Sequence, residues 1–97
     1  MREVKFTPIA NAQLEQLKKD NRKMYSRIEY LIDSVQQNPY AGIGKPEPLK
    51  YDLGGYWSRW ITKEHCLVYQ VTSDAIIVIS CKQLLGNKLF IIIYYLA

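Results

Sequence analysis

YWSRWITKEHCLVYQVTSDAIIVISC, residues 56–81, is the stretch that decides the fold of this chain. It contains three runs that are rich in β-branched and aromatic residues, namely Tyr56 to Ile61, Cys66 to Val71 and Ala75 to Cys81. The runs are joined by connections of only three or four residues, which are short enough to force antiparallel hairpins. The sequence therefore predicts a mostly antiparallel sheet in the second half of the chain.

Two helices are predicted in the first half of the chain. Thr7-Pro8 is typical of an N-cap followed by the first helical residue, and the helix that begins there ends near Asp20-Asn21. A broad apolar stripe at helical spacing marks the second helix, which Asn38-Pro39 ends. The members of this stripe are Met24, Ile28, Leu31 and Val35. The sequence thus predicts a helical hairpin that needs a flat surface to cover its apolar face.

Short strands complete the predicted architecture. Val4 and Phe6 alternate with charged residues at the start of the chain, and another strand is predicted through Leu49, Lys50 and Tyr51. The expected fold is α+β, with two N-terminal helices on one face of a mostly antiparallel four- to five-stranded sheet. The opposite face is expected to be free for binding.

The chain of 97 residues has the size of one domain, which we place at residues 1–88. The apolar tail at residues 89–97 is about half the ~20 residues that a membrane-spanning helix needs, so no membrane association is expected. Thirteen Lys and Arg against nine Asp and Glu give a net charge of +4. This charge fits an anionic partner such as RNA or an acidic protein segment, but it is also ordinary for solubility.

The two cysteines, Cys66 and Cys81, lie in apolar strand-like runs and lack CxxC spacing. This pattern predicts buried, reduced thiols in a cytoplasmic protein, in preference to a disulfide or a metal site. No metal or cofactor is predicted.

Glu47 is a candidate catalytic base because Pro46 and Pro48 stiffen the backbone on both sides of it. RNA cleavage by the 2′-hydroxyl needs such a base, together with positive charge at the phosphate and an acid for the leaving 5′-oxygen. The alternative for Glu47 is an ordinary solvated loop glutamate.

Positive charge lies close to Glu47 in the sequence, at Lys45, Lys50 and Arg59. The functional interpretation is that these three residues contact phosphate groups. The alternative is a solvated edge of the sheet.

Four segments together resemble a known family: Gly42-Ile-Gly-Lys-Pro-Glu-Pro-Leu-Lys50, Gly55-Tyr-Trp-Ser-Arg59, Ile61-Thr-Lys-Glu-His65 and Leu67-Val-Tyr69. Their order and spacing are similar to those of the YoeB (Txe) branch of the RelE superfamily. Members of this branch are toxins of bacterial toxin–antitoxin modules and act as ribosome-dependent mRNA endoribonucleases. The resemblance implies a RelE-like fold and a metal-independent nuclease.

The resemblance also implies roles and partners. Glu47 matches the family's general base, and Lys50 and Arg59 coincide with basic residues of the family. The implied partners are the 70S ribosome with its mRNA, a YefM-like antitoxin whose acidic C-terminal segment folds over the active face, and operator DNA reached only through the antitoxin complex. A homodimer is also implied.

This chain departs from the family at functional positions. Trp60 and Cys66 stand where the family has arginines, and Leu84 and Leu85 stand where it has a His-Tyr pair that supplies the general acid. His65 is expected to be a turn residue rather than a replacement for this acid. Trp60 could stack on a base or be covered by a protein partner. We therefore expect an attenuated nuclease; the alternatives are an inactive binding module of the same fold and an unrelated nucleic-acid-binding domain.

Overall fold

The computed structural model describes residues 1–49 and 55–84. Its elements are β1 (Glu3–Phe6), α1 (Pro8–Asp20), α2 (Arg22–Gln37), β2 (Glu47–Pro48), β3 (Tyr56–Trp60), β4 (His65–Val71) and β5 (Ala75–Leu84). The strands form one sheet in the order β1-β5-β4-β3-β2, in which β1 and β5 are parallel and all other neighbours are antiparallel. The predicted α+β fold with two N-terminal helices is confirmed. The predicted tail at residues 89–97 lies outside the described residues.

The two helices begin and end where the sequence predicts because polar side chains cap them. The Thr7 hydroxyl accepts a hydrogen bond from the Ala10 N–H at 3.1 Å, which starts α1. Asn21 serves both helices: its N–H donates to the Leu17 carbonyl at 2.8 Å, and its side chain accepts from the Met24 N–H at 3.1 Å. One residue therefore ends α1 and starts α2, which makes the hairpin tight.

The main core lies between the helices and the sheet. The apolar stripe predicted for α2 is buried along its whole length. It packs against Leu67, Tyr69, Ile76, Val78 and Cys81 of the sheet. Burial of these side chains, at about 1.5–3 kcal/mol each, is the main force that holds the hairpin on the sheet. Among the described residues, no helix has the length and apolar character needed to cross a membrane.

The short strand next to β3 lies earlier than the sequence suggests. The prediction puts it at Leu49, Lys50 and Tyr51, whereas β2 is formed by Glu47–Pro48, with Glu47 opposite Ser58. Lys50 and Tyr51 are outside the described residues. Pro48 lacks an N–H, and the structure accommodates it because β2 is the edge strand of the sheet.

The face of the sheet that lies away from the helices is less open than expected. Tyr56, Val68 and Ile79 are buried there together with Leu49, and they form a second apolar cluster. The alternation of Val4 and Phe6 in β1 predicts that both are buried on one face of the strand, but Phe6 remains 37% exposed. Only part of the second face is thus available for binding polar molecules.

Candidate functional site

The side chains of strand β3 alternate between the two faces of the sheet, so the candidate site residues on this strand lie on two different sides. Trp57 and Arg59 point toward the helices, where Arg59 reaches Ser34 of α2. Ser58 and Trp60 therefore lie on the opposite face. The side toward the helices contains the better defined polar network.

Arg59 is fully buried, and its guanidinium donates five hydrogen bonds within the protein. The acceptors are the Tyr69 hydroxyl (3.1 Å), the Ser34 hydroxyl (2.7 Å) and the carbonyl oxygens of Ile43 (3.2 Å), Asn38 (2.6 Å) and Ala41 (3.1 Å). A buried cation needs such partners because desolvation is costly. The predicted phosphate contact of Arg59 is therefore wrong. Every donor direction is occupied by the protein itself, and the residue fastens the loop at residues 38–44 to the sheet.

Tyr69 extends this network by one step. Its hydroxyl accepts from the Arg59 Nε and donates to the Pro39 carbonyl at 2.7 Å. Burial raises the pKa of Tyr69 above its usual value, although the hydrogen bond from Arg59 acts in the opposite direction. The hydroxyl is thus a fixed, neutral bridge between the guanidinium and the start of the loop.

Two glycines allow the loop to approach Arg59 so closely. A Cβ on Gly42, whose φ is +132°, would lie 2.5 Å from the Ser34 hydroxyl and 3.0 Å from the Arg59 Nη1. On Gly44, at φ +80°, it would lie 2.8 Å from a methyl carbon of Leu31. The Gly44 carbonyl also accepts from the Trp60 N–H at 2.7 Å. The loop is therefore held both by the Arg59 side chain and by the backbone of β3.

This loop leads directly to Glu47, the predicted base. Lys45 follows the last glycine with a φ of +51°, an uncommon value for a residue with a side chain. Both Lys45 and Glu47 are exposed. Glu47 pairs with Ser58, so it shares the face on which Trp60 lies, and diagonal neighbours of this kind are about 7–8 Å apart. The structure thus brings together Lys45, Glu47 and Trp60 at one edge of the sheet.

The altered positions occupy the neighbouring part of the sheet. Trp60 pairs with Cys66, as the sequence predicts, and Cys66 is only 1% exposed. His65, which the sequence predicts to be a turn residue, is instead the first residue of β4, and its Nδ1 lies 3.2 Å from the Thr62 hydroxyl. Leu84 ends β5, and Leu85 lies outside the described residues.

Both cysteines are free and buried, as predicted. Burial raises the pKa of the Cys81 thiol to about 12. Within residues 1–49 and 55–84, no group of three or more His, Cys, Asp and Glu side chains is arranged to hold a metal ion. Cys81 is therefore a packing residue on the helix side of the sheet.

Comparison with known proteins identifies the family. A family model described as "YoeB-like toxin of bacterial type II toxin-antitoxin system" matches residues 6–84. The chain belongs to this family of toxins. Toxin YoeB of Synechocystis sp. is 40% identical over 79 residues, which cover 81% of this chain and 92% of the relative.

Solved YoeB structures have the same fold. The YoeB dimer from Staphylococcus aureus superposes with a TM-score of 0.78 at 40% identity, over 84% of this chain and 95% of the other. In the YoeB–YefM complex from the same organism, the matched chain gives a TM-score of 0.76 at 40% identity, over 86% and 97%. The predicted RelE-like, YoeB-type fold is thereby confirmed.

Sequence reasoning missed the residues that support the edge of this YoeB-like toxin. It did not identify Ser34 or Tyr69 as partners of Arg59, although one signal is present in the sequence. Trp57, Arg59 and Ile61 alternate along the predicted run from Tyr56 to Ile61, and two of these three are apolar. That pattern favours a position for Arg59 among core residues rather than on an RNA-binding face.

Proposed function

We propose that this YoeB-like toxin is a ribosome-dependent mRNA endoribonuclease that inhibits translation, with Glu47 as its general base. The observation that carries the proposal is the presentation of Glu47. Its side chain is exposed on an edge strand, while the loop before it is held by the buried Arg59. A base must be accessible to substrate and yet fixed in position, and Glu47 meets both conditions.

The proposed chemistry uses the RNA's own 2′-hydroxyl. Glu47 accepts the 2′-hydroxyl proton, the 2′-oxygen attacks the adjacent phosphorus, and the 5′-oxygen leaves with a proton from solvent. The products are a 2′,3′-cyclic phosphate and a 5′-hydroxyl end. Lys45, two residues before Glu47, supplies positive charge near the phosphate, and Lys50 is proposed to do the same. No metal ion takes part in this scheme.

The activity is proposed to be attenuated. Trp60 and Cys66 provide no cation where the family has arginines, and Leu84 and Leu85 provide no acid. General acid help is worth roughly 10²–10⁴ in rate, and one well-placed charge on the transition state about 10²–10³. These effects are not additive, but losing several of them leaves a slow enzyme.

The proposed partners follow from the family. The relatives include a YoeB dimer and a YoeB–YefM complex, so we expect this chain to form a homodimer and to bind a YefM-like antitoxin. Operator DNA is expected to be bound only through that complex. The site of action is the translating 70S ribosome, which places the protein in the cytoplasm.

The test is translation of a defined mRNA in a reconstituted system, with mRNA 5′ ends mapped by primer extension after the purified chain is added. We expect weak new ends at A-site codons, and their disappearance with Glu47→Gln. The Lys5→Gln variant is the matched control, because Lys5 is exposed on β1 at the opposite edge of the sheet. It should cleave like the unmodified chain.

A second candidate is an inactive binding module of the same fold. The observation in its favour is the burial of Cys66, since a position that is 1% exposed offers little to a substrate. Binding to the antitoxin without any new mRNA ends would support this candidate and contradict the nuclease.

A further inference from the structure

A basic groove runs between the first half of α2 and the turn that joins β3 to β4. It consists of two adjoining cavities of about 500 and 360 Å³ that share Arg27, Ile61 and Thr62 in their walls. Lys45 and Trp60 line the larger cavity, toward β2. The groove therefore begins at the edge of the sheet that presents Glu47 and continues along α2.

The groove has the charge of an anion-binding surface. Four cationic residues line it: Lys23, Arg27, Lys45 and Lys63. In the part of the chain that the structure describes, no Asp or Glu lines either cavity, and none forms an ion pair with any of the four. Arg27 is also half-buried. A partly desolvated guanidinium without an acidic partner favours a ligand with oxyanions.

The position of the groove favours RNA over an acidic peptide. Lys45 lies two residues from Glu47, and two residues of extended chain span at most about 7 Å. A phosphate near Glu47 and a neighbouring phosphate near Lys45 could therefore belong to one RNA strand. Trp60 also contributes to the wall at that end.

We propose that this groove binds the phosphate backbone of the RNA strand next to the cleaved bond, with Arg27 and Lys63 as its main contacts. The inference rests on the proposed function, because it takes RNA as the substrate class. It adds a binding site that extends away from Glu47 along α2. Lys23 and Lys45 contribute further phosphate contacts at the two ends of the groove.

The experiment measures binding of the full chain to a fluorescein-labelled, fully 2′-O-methylated 12-nucleotide RNA, by anisotropy at a series of salt concentrations. This probe cannot be cleaved through its 2′-oxygen, so the result does not depend on catalysis. The test variant is Arg27→Gln/Lys63→Gln. The control variant is Lys5→Gln/Lys19→Gln, which removes the same charge from exposed residues that do not line the groove.

We expect the groove variant to bind about tenfold or more weakly and to lower the slope of log K against log salt by about 1.4, since each phosphate contact on a single strand contributes about 0.7. The control should change the slope by less than half of that. Equal effects of the two variants, or no RNA binding by the unmodified chain, would overturn the groove proposal.

A Glu-rich 12-residue peptide provides the competing test. If the groove substitutions weaken this peptide more than the RNA, the occupant is an acidic protein segment and the proposal is wrong. Cleavage at the ribosome is measured separately with Glu47→Gln, so a failure of the groove and a failure of the nuclease give different results. Thermal unfolding by circular dichroism verifies that each variant is folded.

Discussion

Arg59 and Trp60 are neighbours on β3, but they belong to different parts of the molecule. Arg59 points toward the helices, is fully buried, and donates five hydrogen bonds to groups within the protein. Trp60 points to the other face and is half-exposed. The comparison shows that the helix side of β3 itself holds the framework of this toxin, whereas its opposite side and the adjoining edge present the groups that we propose act in cleavage. The groove that we propose binds the RNA backbone lies beside α2. A basic residue near the site is therefore not automatically a substrate contact.

The largest expected effect is on the free energy of unfolding, which should differ between substitutions on the two sides of β3. Arg59→Met should lower the free energy of unfolding by about 3–5 kcal/mol, because it leaves several buried carbonyl oxygens without their donor. Trp60→Met introduces the same side chain at the next position and should cost less than half as much. Urea denaturation followed by circular dichroism measures both, and equal losses would break the comparison.

A smaller effect is expected from closing the space beside Arg59. Gly42→Ala should cost about 2 kcal/mol, because the new Cβ would collide with the Ser34 hydroxyl at a strained φ. In the double variant Ser34→Ala/Gly42→Ala, part of that collision is removed. We expect the double variant to lose less stability than the sum of the two single variants, and strict additivity would argue against this contact.

The bridge through Tyr69 should contribute less still. Tyr69→Phe removes one hydroxyl that links Arg59 to the Pro39 carbonyl, and we expect a loss of about 1–2 kcal/mol. Tyr30→Phe is the control because Tyr30 is 60% exposed, and it should change stability by less than about 0.5 kcal/mol. Chemical denaturation of the two variants measures this difference. A larger loss for Tyr69→Phe than for Tyr30→Phe would support a structural role for the Tyr69 hydroxyl.

The smallest effect concerns pH. The pKa of Cys81 is about 12 in the folded chain, against a usual value of 9.0, so the folded state keeps the proton that the unfolded state releases. This contribution to stability is complete below pH 9 and is lost as the pH rises toward 12. Between pH 8.5 and 10 the unmodified chain should lose about 1 kcal/mol more than Cys81→Ala. If the two proteins lose the same free energy of unfolding over this pH range, the pKa of the Cys81 thiol is not raised by burial.

The elements that the sequence predicts well are those set by local chemistry. The caps at Thr7 and Asn21 and the stripe of α2 depend on neighbouring residues alone, and they appear where expected. The position of β2 depends on pairing with β3, so the prediction did not include Glu47–Pro48. The role of Arg59 depends on which face of the sheet the helices cover, which is a tertiary property.

The groove could not be predicted for a related reason. Its cations come from α2, from the loop before β2 and from the turn after β3, and only the folded chain brings these segments together. By contrast, Glu47 could be proposed from sequence, because its proline neighbours and the family resemblance both point to it.

The most direct test of this account is the rate of ribosome-dependent mRNA cleavage by Trp60→Arg, measured by primer extension with and without Glu47→Gln. Trp60 is half-exposed and can accept an arginine, whereas an arginine at Cys66 would be buried. We predict that Trp60→Arg raises the rate by about 10² and that Trp60→Arg/Glu47→Gln shows no cleavage. An unchanged rate in Trp60→Arg, or cleavage that persists without Glu47, would contradict the claim that this side of β3 carries the chemistry.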